Sequence, residues 1–161
     1  MKTEEQERLS HAEQNAEAWS DQITAAWEAY CFCAERGEGR HLSTEAKTCL
    51  KAHGYDGTNH DVVAEWITDE ARETPLSVDI REGWHSPGTR ASMEPTEFQI
   101  LLSTGGPALR IMGELDQHGE PARCWLEHQD WGTPWTRYFN RSAERATALR
   151  WFAGLFWFGQ G

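Results

Sequence analysis

The hydrophobic period of this chain changes at Thr74-Pro75, and that switch limits the fold more than any other feature. Before it, apolar residues recur at helical spacing. After it, Leu76-Ser-Val-Asp-Ile80 alternates apolar and polar, as a half-buried strand does. The residue before a proline is pushed out of the helical region, so the boundary is sharp. A helical front of residues 1–75 and a sheet-forming rear of residues 76–161 are expected to form one compact α+β unit.

The helical front divides further. A first long helix is expected near Thr3–Glu35, rich in Ala, Glu and Gln and stopped by Gly37 and Gly39. At 100° per residue, Leu9, Ala12, Ala16, Trp19, Ile23, Ala26, Trp27, Tyr30 and Ala34 share one broad face. Ser43 opens a second helix that runs to about Ala52 and ends at His53-Gly54. A third is expected from about Asn59 to Arg72, burying Val62, Val63, Trp66 and Ile67.

In the rear, strands are expected at 76–80, 98–102, 109–115 and 122–129, an antiparallel meander of about four. Asn140 or Ser142 caps a last helix that buries Ala146, Leu149, Phe152, Ala153 and Phe156. The run Trp151-Phe-Ala-Gly-Leu-Phe-Trp-Phe158 carries more aromatic surface than one helix face can bury. Trp157 or Phe158 is therefore expected at an interface with a partner or a second copy of the chain, a homodimer included.

Charge is as lopsided as period. Residues 1–75 carry sixteen Asp/Glu against seven Lys/Arg, a net of −9, and residues 76–161 carry ten against eight, a net of −2. An acidic chain without a basic cluster is a poor direct binder of nucleic acid or of anionic membranes. The longest apolar stretch is far short of the ~20 residues of a membrane span. The polar, charged N-terminus leads us to expect no signal peptide, and four unevenly spaced Cys suit a reducing cytoplasm.

Several residue sets are candidates for chemistry. Glu13, Glu17, Asp21, Glu28 and Glu35 fall within an arc of about 80° along the first helix, a stripe roughly 33 Å long. Such a row resembles the phosphates of a nucleic-acid strand and would be drawn to a basic groove. Phe32 lies beside it, where a purely solvated face would not place a phenyl ring. Cys31, Cys33, His41, Cys49 and His53 hold metal-ligand types, but their spacing lacks the C-x2-C knuckle, so neither metal nor cofactor is expected. His85, Asp116, His118, Glu127, His128 and Asp130 are titratable groups near turns, without a nucleophile elbow or phosphate loop beside them. Trp125, Trp131, Trp135, Trp151 and Trp157 accompany Arg137, Arg141, Arg145 and Arg150, and on a helix Arg141 and Arg145 would share one face of a basic-aromatic patch, although core packing is the simpler use of the rings.

Three blocks carry a resemblance. Leu76-Ser-Val-Asp-Ile-Arg-Glu-Gly-Trp84, Ile100-Leu-Leu-Ser-Thr-Gly-Gly-Pro-Ala-Leu-Arg110 and Leu126-Glu-His-Gln-Asp-Trp-Gly-Thr-Pro-Trp-Thr-Arg-Tyr138 are similar to blocks in small uncharacterised proteins of bacteriophages and prophages. The resemblance covers about residues 76–139. It implies a mobile-element origin and no particular activity. Small phage proteins of this acidic character act as nucleic-acid mimics or inhibitors of host defence nucleases, anti-CRISPR proteins among them. The leading expectation is thus a non-enzymatic protein of the host cytoplasm, its acidic helical surface docked on a basic, nucleic-acid-binding host protein. A small enzyme using His85, His128 and Asp130, or a zinc-stabilised virion component, are the alternatives.

Overall fold

The computed structural model describes residues 10–38, 41–84, 86–88 and 94–159. The elements run α1 (His11–Ala34), α2 (Thr44–Ala52), α3 (His60–Glu73), β1 (Ser77–Glu82), β2 (Pro95–Ser103), β3 (Ala108–Leu115), β4 (Pro121–Gln129), β5 (Thr136–Tyr138) and α4 (Ala143–Ala153). The fold is α+β, with helices in front, an antiparallel sheet behind and a last helix packed on it. The sheet has five strands rather than four, in the sequential order β1-β2-β3-β4-β5. The short fifth strand pairs Tyr138 with Leu126 and Thr136 with His128.

Local chemistry sets the helix starts. Ser10 and Glu13 form a reciprocal capping box: the Glu13 amide donates to Ser10 Oγ at 3.2 Å, and the Ser10 amide to the Glu13 carboxylate at 2.8 Å. Ser43 and Ser142 cap α2 and α4 one-sidedly, each accepting from the amide three residues on. The part of the first helix expected over residues 3–9 lies outside the described residues.

α1 is buried on two different sides. In its first half Ala12, Ala16, Ser20 and Ile23 are buried, and Ala16 and Ile23 join a core made by the sheet and α4. In its second half Ala25, Ala29 and Cys33 are buried, and the last two join a second core with Leu50 of α2 and Val63 and Ile67 of α3. At about 100° per residue the centres of these two arcs lie roughly 140° apart. The single broad face expected from sequence extends the first of these sides along the whole helix, so Ala34 on it is exposed and the Ala25-Ala29-Cys33 line was missed. Small residues on that line let α2 and α3 approach closely. Trp151 of α4 packs against both cores and meets the Tyr30 ring at 5.3 Å between centroids.

The sheet alternates as its sequence does. Phe98, Ile100 and Leu102 of β2, Leu109 and Ile111 of β3, and Leu126 of β4 point into the first core, against Ala148, Leu149, Phe152 and Ala153 of α4. Gly113 sits between Phe98 and Cys124 in the ladder, where an added Cβ would lie 2.3 Å from the Phe98 ring and 2.5 Å from the Arg123 carbonyl oxygen. Only glycine fits there. The β3–β4 turn is held by Asp116, whose carboxylate accepts from the amides of His118 and Glu120. Those amide bonds hold its carboxyl below the usual carboxylate range.

The C-terminal aromatics divide differently from expectation. Phe152 is in the core, and the half-buried Phe156 packs edge-on against it at 5.4 Å. Phe158 does not supply an interface. It is 3% exposed and stacks on Phe98 at 4.5 Å, so the chain after α4 folds back over the sheet. Trp157 is 75% exposed. Phe158→Ala is therefore expected to lower the free energy of unfolding by about 3–5 kcal/mol, the cost of emptying a buried phenyl site. Trp157→Ser should cost under about 1 kcal/mol. Urea denaturation of both variants checks this, and equal losses would show that the tail packs otherwise.

Candidate functional site

The acidic stripe of α1 is only partly available to a partner. Glu13 is held in the capping box. Asp21 forms an ion pair with Arg145 of α4. Glu28 accepts from both the Ser43 amide (3.2 Å) and the Ser43 hydroxyl (2.6 Å), so it anchors the start of α2, where the helix dipole favours a carboxylate. Glu17 is half-buried, and Glu35 is the exposed C-cap residue of α1. Phe32 also has partners within the chain. It is half-buried, edge-on to Tyr55 at 5.5 Å and tilted against His60 at 6.3 Å. Its place beside the carboxylates follows from the second burial side of α1.

What the fold does bring together is a groove. A cleft of about 630 Å³ lies between α1, α2, α3 and α4, with Trp19, Ile23, Ile67, Ala71 and Phe152 among its apolar lining and Asp21, Glu45 and Glu70 among its acids. A second cleft of about 300 Å³ is lined by Asp21, Glu28, Glu45, Glu144 and Arg145, with the N-cap residues Ser43 and Ser142. The two share Asp21, Ala25 and Glu45 and so adjoin. The combined groove offers an apolar floor and five carboxylates, against one arginine and one histidine. Asp21 and Glu28, two turns apart in the predicted stripe, meet there with Glu45 and Glu144, which sequence reasoning missed because they sit on other helices.

Within this groove Cys49, His53 and Glu70 lie side by side. His53 Nε2 meets the Glu70 carboxylate. Its Nδ1 lies 2.8 Å from the Cys49 carbonyl oxygen and 3.7 Å from Cys49 Sγ. A carbonyl oxygen can only accept, so Nδ1 donates to it and is not free to take a proton from the thiol. Burial, with Glu70 and Cys33 adding, pushes the Cys49 thiol up to about 11. An attacking cysteine needs the reverse, a depressed pKa and an open base. His53 instead ties the end of α2 to α3.

The remaining candidates do not converge. Among the described residues no three His, Cys, Asp or Glu side chains surround a point a metal ion could occupy. His41 is exposed. His85 lies outside the described residues, His128 is buried on β4, and Asp130 is in the turn after it, where its backbone amide is bonded to Thr133 Oγ1. Arg141 precedes α4, so it does not share a helical face with Arg145. On α3, Val62 and Trp66 are 43% and 50% exposed, against the expectation of burial, because the core takes Val63, Ile67, Thr68 and Ala71 instead. No helix of the described residues is long and apolar enough to cross a membrane.

No family model matches this chain, and no curated protein or solved structure is significantly similar to it. The resemblance of residues 76–139 to phage-borne proteins thus rests on the sequence blocks alone.

The thiol chemistry gives a direct check. A folded-state value near 11 means that the folded chain keeps a proton on Cys49 that the unfolded chain releases from pH 9 upward. This stabilising contribution is complete below pH 9 and is lost as pH rises toward 11. Alkylation of Cys49 by iodoacetamide at pH 8 should run about a hundredfold slower in the folded chain than in urea, since two units of pKa leave about a hundredth of the thiolate. Mass spectrometry of the labelled peptide reads the rate, and equal rates would return Cys49 to the list of reactive groups.

Proposed function

We propose that this chain is a non-enzymatic interaction protein whose acid-rimmed groove docks a basic segment of a host protein at its nucleic-acid-binding surface, in the manner of a phage counter-defence inhibitor. One observation carries this reading: Asp21, Glu28, Glu45, Glu70 and Glu144, from four different helices, line a single groove with an apolar floor. Arginine and lysine have apolar stems and charged heads, so a segment rich in them suits such a lining along its whole length. The net −9 of residues 1–75 extends the attraction beyond contact distance and raises the rate of encounter. Occupying a surface that otherwise holds phosphates would exclude the nucleic acid. The raised Cys49 thiol and the engaged His53 ring weigh against catalysis in the same groove.

Glu45 and Glu144 are the cleanest probes, since both are exposed and neither side chain holds a hydrogen bond or ion pair among the described residues. Reversal at Asp21 or Glu28 would also break the Arg145 and Ser43 contacts. The test immobilises the chain, exposes it to host lysate at low salt, and identifies the retained proteins. The expected retained protein binds nucleic acid, is displaced by duplex DNA, and is released at about 1 M salt, where the Debye length falls to about 3 Å. Glu45→Lys/Glu144→Lys should stay folded by circular dichroism and retain at least tenfold less. Equal retention by the folded double variant, or retention indifferent to salt and to DNA, would overturn the proposal.

A further inference from the structure

A second site of opposite character lies at the edge of β4. A cleft of about 290 Å³ is lined by Ala122, Arg123, Cys124 and Trp125 of β4, Arg137 of β5, and Ala146, Thr147 and Arg150 of α4. No carboxylate lines it, and it shares no residue with the acidic groove. Three arginines converging on one small cleft repel one another, and in a chain of net charge −11 their grouping needs an explanation. Ion pairing supplies little of one. Arg123 reaches Glu114 only at 3.8 Å and is largely exposed, while Arg137 and Arg150 make no ion pair among the described residues.

Two of the arginines are also held in place. The Arg137 guanidinium lies 4.8 Å from the Trp125 ring centroid and 5.4 Å from that of Phe139, and Arg123 lies 6.0 Å from Trp125. Stacking on an indole fixes the plane of a guanidinium and leaves its N–H edge free to donate. Arg150 approaches from α4, and its charge is felt at Cys124, where it opposes the effect of burial on that thiol. Ala146, expected in the core, is exposed and lines this cleft instead. The small side chain keeps the space between helix and strand open.

We infer that the Arg123-Arg137-Arg150 cleft binds a small phosphate monoester. A phosphate dianion matches the charge, its oxygens take paired N–H donors from planar guanidinium groups, and its size suits the volume. The acidic remainder of the protein disfavours a long polyanion there, so the occupant is a small molecule and not a nucleic-acid strand.

The test is isothermal titration of the full chain at low salt with inorganic phosphate, ribose 5-phosphate and AMP, with adenosine as the phosphate-free control. The expected result is one site per chain for at least one of the three phosphates, none for adenosine, and affinity reduced about tenfold or more in Arg150→Gln, whose side chain makes no ion pair among the described residues. Arg123→Gln, on the exposed edge of β4, serves as the second variant if the first loses its fold. No binding of any phosphate up to about 10 mM, where even a millimolar site would register, overturns the inference. So does unchanged affinity in a folded variant, or adenosine binding as well as AMP. Tighter binding of a single-stranded oligonucleotide than of any monoester would also overturn it, in favour of a strand as the occupant.

Discussion

The packing of α1 on two sides is the contact on which the rest of this structure depends. Ala16 and Ile23 close the core over the sheet, and Ala29 and Cys33, roughly 140° around the same helix, close the core of α2 and α3. A continuous helix that serves both cores fixes their relative position without a linker. Alanines matter here because a bulkier row would hold the neighbouring helices away. The same helix then places its unburied sides, and with them its carboxylates, at the junction of four helices.

The acidic groove follows from that junction. Asp21 is held by Arg145, Glu28 by Ser43 and Glu70 by His53, so three of its five carboxylates are positioned by the fold, while Glu45 and Glu144 project from the first turns of α2 and α4. Carboxylates at helix N-termini are stabilised by the macrodipole, which lets several gather without destabilising the fold. The arrangement differs from a uniform acidic stripe. A stripe would attract any cation, whereas a groove with an apolar floor selects cations with apolar stems. On the far portion of α4, Arg150 faces a cleft without acids. The one helix thus contributes to two sites of opposite sign.

Much of this architecture was legible in the sequence. Pro75 marked the change of class, Ser43, Asn59 and Ser142 marked helix starts, and the alternation in 98–102 and 109–115 gave the core strands. Fully local signals transferred well because they act within a few residues. What did not transfer was anything set by a partner element. A helical wheel assigns α1 one face, and only the presence of α2 and α3 on another side explains Phe32, Ala29 and Cys33. Val62 and Trp66 have the period of a buried face but lie on the outer side of α3, because α1 meets the neighbouring line at Val63 and Ile67. The groove combines Asp21, Glu45, Glu70 and Glu144, separated by up to 123 positions (144 − 21) along the chain, and no local pattern links them.

The most direct measurement is carbodiimide footprinting of carboxylates on the chain alone and with its retained host protein bound. It reads each Asp and Glu separately by mass spectrometry. If the groove is the docking site, Glu45 and Glu144 become protected in the complex, while Asp79 and Glu114 on the sheet keep their reactivity. Protection of the sheet carboxylates with Glu45 and Glu144 unchanged would contradict the account and move the interface to the other side of the molecule.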